Sequence, residues 1–128
     1  MNFNDLKLKQ EVIDAYEKYL DAFKSGNQSA VNSCVTSPNY RIENGVIQTF
    51  EKFHTDLTKL KKQGYKTTIA ADYSVVAVDD KKAHLLLREA LRIDDKDEPF
   101  QTISSFYILV KDNGSWKIMF ASGMVETI

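Results

Sequence analysis

The chain carries a single cysteine, Cys34, so no disulfide can close within it. It also lacks a CxxC pair or any Cys/His cluster at metal-ligand spacing, and no metal site is expected. An excess of one charge is missing too. Seventeen basic residues against eighteen acidic ones leave a formal net charge of -1, with no long block of either sign. Nucleic-acid affinity leans on phosphate neutralisation, so a balanced surface argues against a nucleic-acid partner. No apolar run reaches membrane-spanning length, and Met1 to Asp5 lack the basic-then-apolar order of a secretion signal. The expectation is a cytoplasmic protein with no membrane partner and no cofactor.

What is present fits one domain. The 128 residues, 43% hydrophobic and 27% charged, suffice to bury a core without staples. Residues 5–24 place Leu8, Val12, Ile13, Tyr16, Tyr19, Leu20 and Phe23 on one helical stripe. Asn4 or Asp5 can cap that helix, and Gly26 can end it. Asn27 then offers a cap for a short second helix over 28–34, closed by Ser37-Pro38. Residues 40–48 read as a hairpin or broken strand, because Asn44-Gly45 tolerates the positive φ of a tight turn. Thr49 can cap a third helix over 50–63, with Phe53, Leu57 and Leu60 inward.

The second half is strand pattern, predicted at 65–78, 83–93, 100–110 and 115–126, with polar turn clusters between. Helices first and an antiparallel meander second give an α+β fold. Strands this long in a small sheet must bend, and Ala70-Ala71, Ser104-Ser105 and Ala121-Ser122-Gly123 are the expected places. A strongly curved, mainly antiparallel sheet with helices across its concave side leaves a cone-shaped hollow.

The segments AYEKYLDAFKSGNQSAVNSCV (15–35) and FYILVKDNGSWKIMFASGMVE (106–126) resemble the nuclear transport factor 2-like superfamily. That group includes ketosteroid isomerase and the SnoaL-type cyclases, and the resemblance spans residues 1–128 as one cystatin-like domain. It implies a pocket, and a SnoaL-like proton-transfer reaction is one reading. Counted from the glycine after the first helix, the isomerase's pocket tyrosine falls on Tyr19 and its general base on Glu43. Its oxyanion-hole acid falls on Phe106, which has no proton to offer. That family moves a proton with a carboxylate while a phenol and a neutral acid hold the enolate.

Glu43 is therefore the candidate proton acceptor and Tyr19 the candidate donor to substrate. Tyr16, Phe53, Leu57, Phe106, Trp116 and Phe120 are the expected pocket walls around a small apolar ligand. Glu89 interrupts the apolar row Leu85, Leu87, Leu91, Ile93, and so either opens to the cavity or is swung outward by a bulge. The opposite row, with Arg88 and Arg92, is expected on a sheet face that makes a homodimer. The competing function is a non-catalytic dimerisation or protein-interaction module. His54 and His84 lack a matched acid or second ligand, and Cys34 reads as a small core residue.

Overall fold

The computed structural model describes residues 2–70 and 72–128. Helix α1 (Leu6–Lys24) starts where the Asp5 carboxylate accepts from the Leu8 backbone N–H at 3.0 Å, and it buries Val12, Tyr16, Tyr19, Ala22 and Phe23. Gly26, at φ 71°, turns the chain into α2 (Gln28–Asn32), capped by Asn27. A hairpin follows, β1 (Val35–Glu43) and β2 (Val46–Phe50), turning through Asn44 and Gly45 at φ 52° and 75°. Both values lie where the Asn-Gly pair is favoured. Then come α3 (Leu57–Lys62), β3 (Tyr65–Ile69), β4 (Asp72–Val78), β5 (Lys82–Asp94), β6 (Pro99–Asp112) and β7 (Ser115–Thr127). No described helix is long and apolar enough to cross a membrane.

The strands form one sheet in the order β2-β1-β7-β6-β5-β3, with β4 also paired to β5. Every pairing is antiparallel except β1 with β7. This is the α+β cone. Helix α1 lies across the concave face, against buried Leu85, Leu87, Tyr107, Leu109, Trp116 and Ile118.

Several boundaries differ from the sequence reading. The third helix is one and a half turns, not four. Phe50 ends β2, and 51–56 is irregular because side chains satisfy its backbone in place of helical bonds. The Asn39 amide donates to the carbonyls of Phe50 and Lys52, Asn32 accepts from the Phe53 N–H, and Gln28 donates to the Thr55 carbonyl. The cap of α3 is accordingly Asp56 rather than Thr49. The second helix stops at Asn32, since Val35 already pairs with Ile118 of β7. The single strand expected over 65–78 is two strands, both on β5. Of the expected Ala70-Ala71 bend, Ala71 lies outside the described residues.

The bends that shape the cone lie elsewhere. Between β5 and β6 the register runs Leu87 to Ser105 and then Ala90 to Ile103, so Arg88 and Glu89 both stand opposite Ser104. That is a β-bulge, and Glu89 adopts φ 51° to make it. In β7, Ile108 faces Phe120 while Leu109 faces Ile118, leaving Met119 as the extra residue. Each bulge resets which side chains point inward. Beyond the first, Ala90 and Arg92 face the helices; beyond the second, Ala121, Gly123 and Val125 line the hollow.

The left-handed backbone at Glu89 costs a side-chain-bearing residue roughly 1–2 kcal/mol, against about 0.5–1 kcal/mol of extra chain entropy lost by glycine. Glu89→Gly is therefore expected to stabilise the fold by about 0.5 kcal/mol in urea denaturation. A clear loss of stability in that variant would show that the carboxylate holds the bulge.

Candidate functional site

One helix, one irregular segment and the strands of the sheet converge at the mouth of the cone. Helix α1 brings Tyr19 and Phe23; the irregular segment before α3 brings Phe53 and His54; β5, β6 and β7 bring Arg92, Tyr107 and Ala121. The enclosed cavity is about 90 Å³, well below the roughly 300–1,000 Å³ of pockets that take drug-sized ligands. Aromatic rings fill much of the space. Tyr19 meets Phe53 edge-on at 5.7 Å and Tyr107 at 6.1 Å, Phe23 meets Phe53 at 6.0 Å, and Phe53 lies 4.5 Å from the His54 ring. The Asn39, Asn32 and Gln28 hydrogen bonds described above fix the segment that carries Phe53 and His54.

The polar lining is cationic. Arg92 lays its guanidinium over the Phe23 ring at 5.7 Å and donates to Gln101 Oε1 at 3.2 Å. Its Nε is buried without a partner. Arg41, from β1, has only a long contact of 3.8 Å to Glu43. Among the described residues no aspartate or glutamate lines this cavity. Burial, then the charges of Arg41 and Arg92, push His54 down to about 4. Burial likewise raises the Tyr19 phenol well above its ordinary value, so it is a neutral donor.

A second hollow of about 60 Å³ lies beside it, bordered by Tyr19 and Tyr107, and shares Phe23, Arg92 and Ile103 with the first. Tyr16 borders it. This ring is fully buried, 5.0 Å from Tyr73 and 5.4 Å from Tyr107, and its hydroxyl lies near that of Tyr107 without a hydrogen bond of good geometry.

Tyr19 and Phe53 thus line the first cavity, and Tyr16 the second. Leu57 is buried at the start of α3, near a separate hollow with Phe23 and Tyr65. The remaining expectations need correcting. Glu43 ends β1 beside the turn, half-exposed and off the cavity wall, so its carboxylate does not open into the hollow. Glu89 is swung outward by its bulge and is exposed. Phe106 sits on the outer face against His84, at 5.4 Å, while its neighbours Ser105 and Tyr107 face inward. Trp116 is buried below the cavity, donating from Nε1 to Glu11 at 3.2 Å. Phe120 pairs with Ile108 on the outer face, because the bulge hands the inward position to Ala121. Arg92, expected on the outer face with Arg88, is inside; Arg88 is exposed, with Asp72 at 3.3 Å.

The suppressed proton affinity of His54 sets a pH dependence. Its folded value of about 4 lies below the ordinary 6.5, so the unfolded chain binds the extra proton between those limits. Stability from this group is complete above about pH 6.5 and is lost as pH falls toward 4, by up to roughly 3 kcal/mol. Urea denaturation at pH 7, 5.5 and 4.5 should show this slope, and His54→Gln should flatten it. An equal slope in both proteins would assign the acid sensitivity to other groups.

Among solved structures, the chain is similar to an NTF2-like protein from Cytophaga hutchinsonii (15% identity, TM-score 0.68, covering 98% of this chain and 100% of that one). It is also similar to a protein of unknown function with a cystatin-like fold from Nostoc punctiforme (10%, TM-score 0.70, 98% and 96%). A third is a hexachlorocyclohexane dehydrochlorinase from Novosphingobium barchaimii (10%, TM-score 0.70, 93% and 87%). Identities this low speak for the fold alone. No curated protein matches. A family model described as NTF2-like protein (DUF6841) matches residues 10–124, nearly the whole cone with its helices, hairpin and meander, and the chain belongs to that NTF2-like family.

Proposed function

We propose that this protein binds a small molecule in the cavity between α1, the 53–55 segment and the sheet, and that binding rather than proton transfer is its task. One observation carries the reading: the cavity is lined by aromatic rings and hydrogen-bond donors, with no carboxylate among the described residues. The isomerase-type reaction needs a carboxylate base. The one imidazole on the wall, His54, has its proton affinity held so low that it is a poor base at neutral pH. A shared fold with a dehydrochlorinase does not transfer that chemistry, because function resides in the site.

The second reading, a homodimerisation module, is favoured by the sheet face opposite the helices. There Leu86, Phe106, Ile108 and Phe120 are only half-buried, and Met124 is 76% exposed. None of the described elements covers them, and a second copy offers a matching apolar surface. The two readings are compatible, with the cavity on one side of the sheet and the interface on the other. Residence in the cytoplasm belongs to the same proposal; a lone, buried Cys34 suits a reducing compartment.

Native mass spectrometry of freshly purified protein tests both. The expected spectrum is a dimer carrying a small-molecule adduct that is released on denaturation. A bare chain mass, with no thermal shift from any fragment of a small-molecule library, would overturn the binding reading. A monomer at micromolar concentration would overturn the dimer.

A further inference from the structure

The cavity holds a guanidinium that nothing in the fold explains. Buried arginines are ordinarily paired with carboxylates, because an uncompensated charge away from water is costly. Half-buried Arg92 has none among the described residues. It donates to the neutral Gln101, its plane rests on Phe23, and its Nε is a buried donor with no acceptor among those residues. A second guanidinium, Arg41, reaches the same cavity from β1, held only at 3.8 Å by a half-exposed Glu43. Two like charges and a tyrosine donor, Tyr19, face one small hollow, with no acid among the described residues that line it. Self-repulsion of that kind destabilises the empty protein and is relieved by an anion.

We propose that the ligand is a small carboxylate, its two oxygens taken by the Arg92 fork with Arg41 alongside, and its apolar body against Phe53, Ile103 and Ile118. This deepens the small-molecule reading and rests on it. A planar carboxylate matches the fork of a guanidinium in bidentate fashion. The volume of about 90 Å³ limits the body to a few carbons. The apolar remainder of the wall favours an organic acid over inorganic phosphate, whose oxygens would all need donors. His54 supports the assignment. Both arginines suppress its protonation in the empty site, so an anion that neutralises them should restore part of it.

The test is calorimetric titration of the full chain at pH 7 with propionate and butyrate, their neutral counterparts propionamide and butyramide, and inorganic phosphate. The expected result is binding of at least one carboxylate, roughly tenfold or more tighter than its amide and than phosphate, weakened at least tenfold by Arg92→Gln. Arg41→Gln, at a more exposed position, should weaken binding less and guards against a folding defect in the first variant. The chain has two histidines, so imidazole NMR can follow His54 directly, with His84 assigned by substitution. Saturating carboxylate should raise the His54 midpoint, which a purely structural Arg92 would not do. Acid and amide binding equally well would overturn this inference and leave the small-molecule reading standing. Phosphate binding tightest would overturn the carboxylate assignment. No binding by any probe would overturn the inference; if native spectra also showed no adduct, the broader reading would fall with it.

Discussion

Tyr16→Ala is expected to remove most of the protein's stability, while Tyr16→Phe at the same position is expected to add to it. The ring is fully buried and touches three other tyrosines, with centroids 5.9 Å from Tyr19, 5.0 Å from Tyr73 and 5.4 Å from Tyr107. Truncating a large buried aromatic to alanine costs about 3–5 kcal/mol, from lost transfer energy and the void left behind. A domain with about 5–15 kcal/mol in all is then marginal or unfolded. The hydroxyl is a different matter. It is buried with the Tyr107 hydroxyl nearby but no hydrogen bond of good geometry, and leaving such a group poorly paired costs about 1–3 kcal/mol. Removing it alone in Tyr16→Phe should raise stability by about 1 kcal/mol. Urea denaturation of both variants separates the two effects. A loss of stability in Tyr16→Phe would mean that the hydroxyl is held by Tyr107, or bridged by water in the neighbouring 60 Å³ hollow.

Arg92→Met should make the protein more stable and less able to bind. Arg92 is half-buried with no carboxylate partner among the described residues, and a partly desolvated, unpaired charge costs stability that an apolar side chain does not. The lost contacts with Phe23 and Gln101 offset part of this, which leaves an expected gain of up to about 1 kcal/mol. Burial already lowers the proton affinity of this guanidinium, a sign that the site disfavours the charge it carries. Sites that give up stability in this way are characteristic of function. The measurement is denaturation of wild type and variant without added ligand. If Arg92→Met were the less stable, the guanidinium would be a structural brace instead.

Element order and hydrophobic period were enough to read α1, the Asn-Gly hairpin, the meander and hence the α+β cone. Those signals are local or repeat at fixed spacing. The site was much less legible, because it depends on two inserted residues. An uninterrupted alternation from Leu85 puts Glu89 inside and Arg92 outside; one bulge at Arg88-Glu89 reverses both. A one-residue slip moves every following side chain to the other face. The same effect at Met119 exchanges Phe120 for Ala121. Phe106 failed for a related reason: spacing from a distant turn fixes a residue only to within one position, and Tyr107 and Ser105 are the inward ones. Glu43 failed because its strand ends in the turn, clear of the wall. The cue for Arg92 was the small Ala90, 1% exposed, lying between two arginines on a strand rich in leucine. His54 could not be placed from sequence, since the segment carrying it is shaped by Asn32, Asn39 and Gln28, which are distant in the chain.

The parallel pairing of β1 with β7 bears on how the chain reaches this structure. Tyr40 meets Phe120 and Ile42 meets Ser122, so the first strand pairs only with the hairpin partner β2 and with the strand that comes last in order. The wall carrying Arg41 and the strand carrying Ala121 therefore come together only after everything between them has been made. Contacts of such sequence separation slow folding, typically to milliseconds or longer. During synthesis, the β1–β2 hairpin must wait with its β7-facing edge unpaired while β3 to β6 emerge, an interval of several seconds at ordinary elongation rates. An open edge of that kind is a pairing surface for other chains. The stretch of β1 from Tyr40 to Ile42, which later meets β7, is where the nascent protein is open to such association, and where a chaperone would have most to shield.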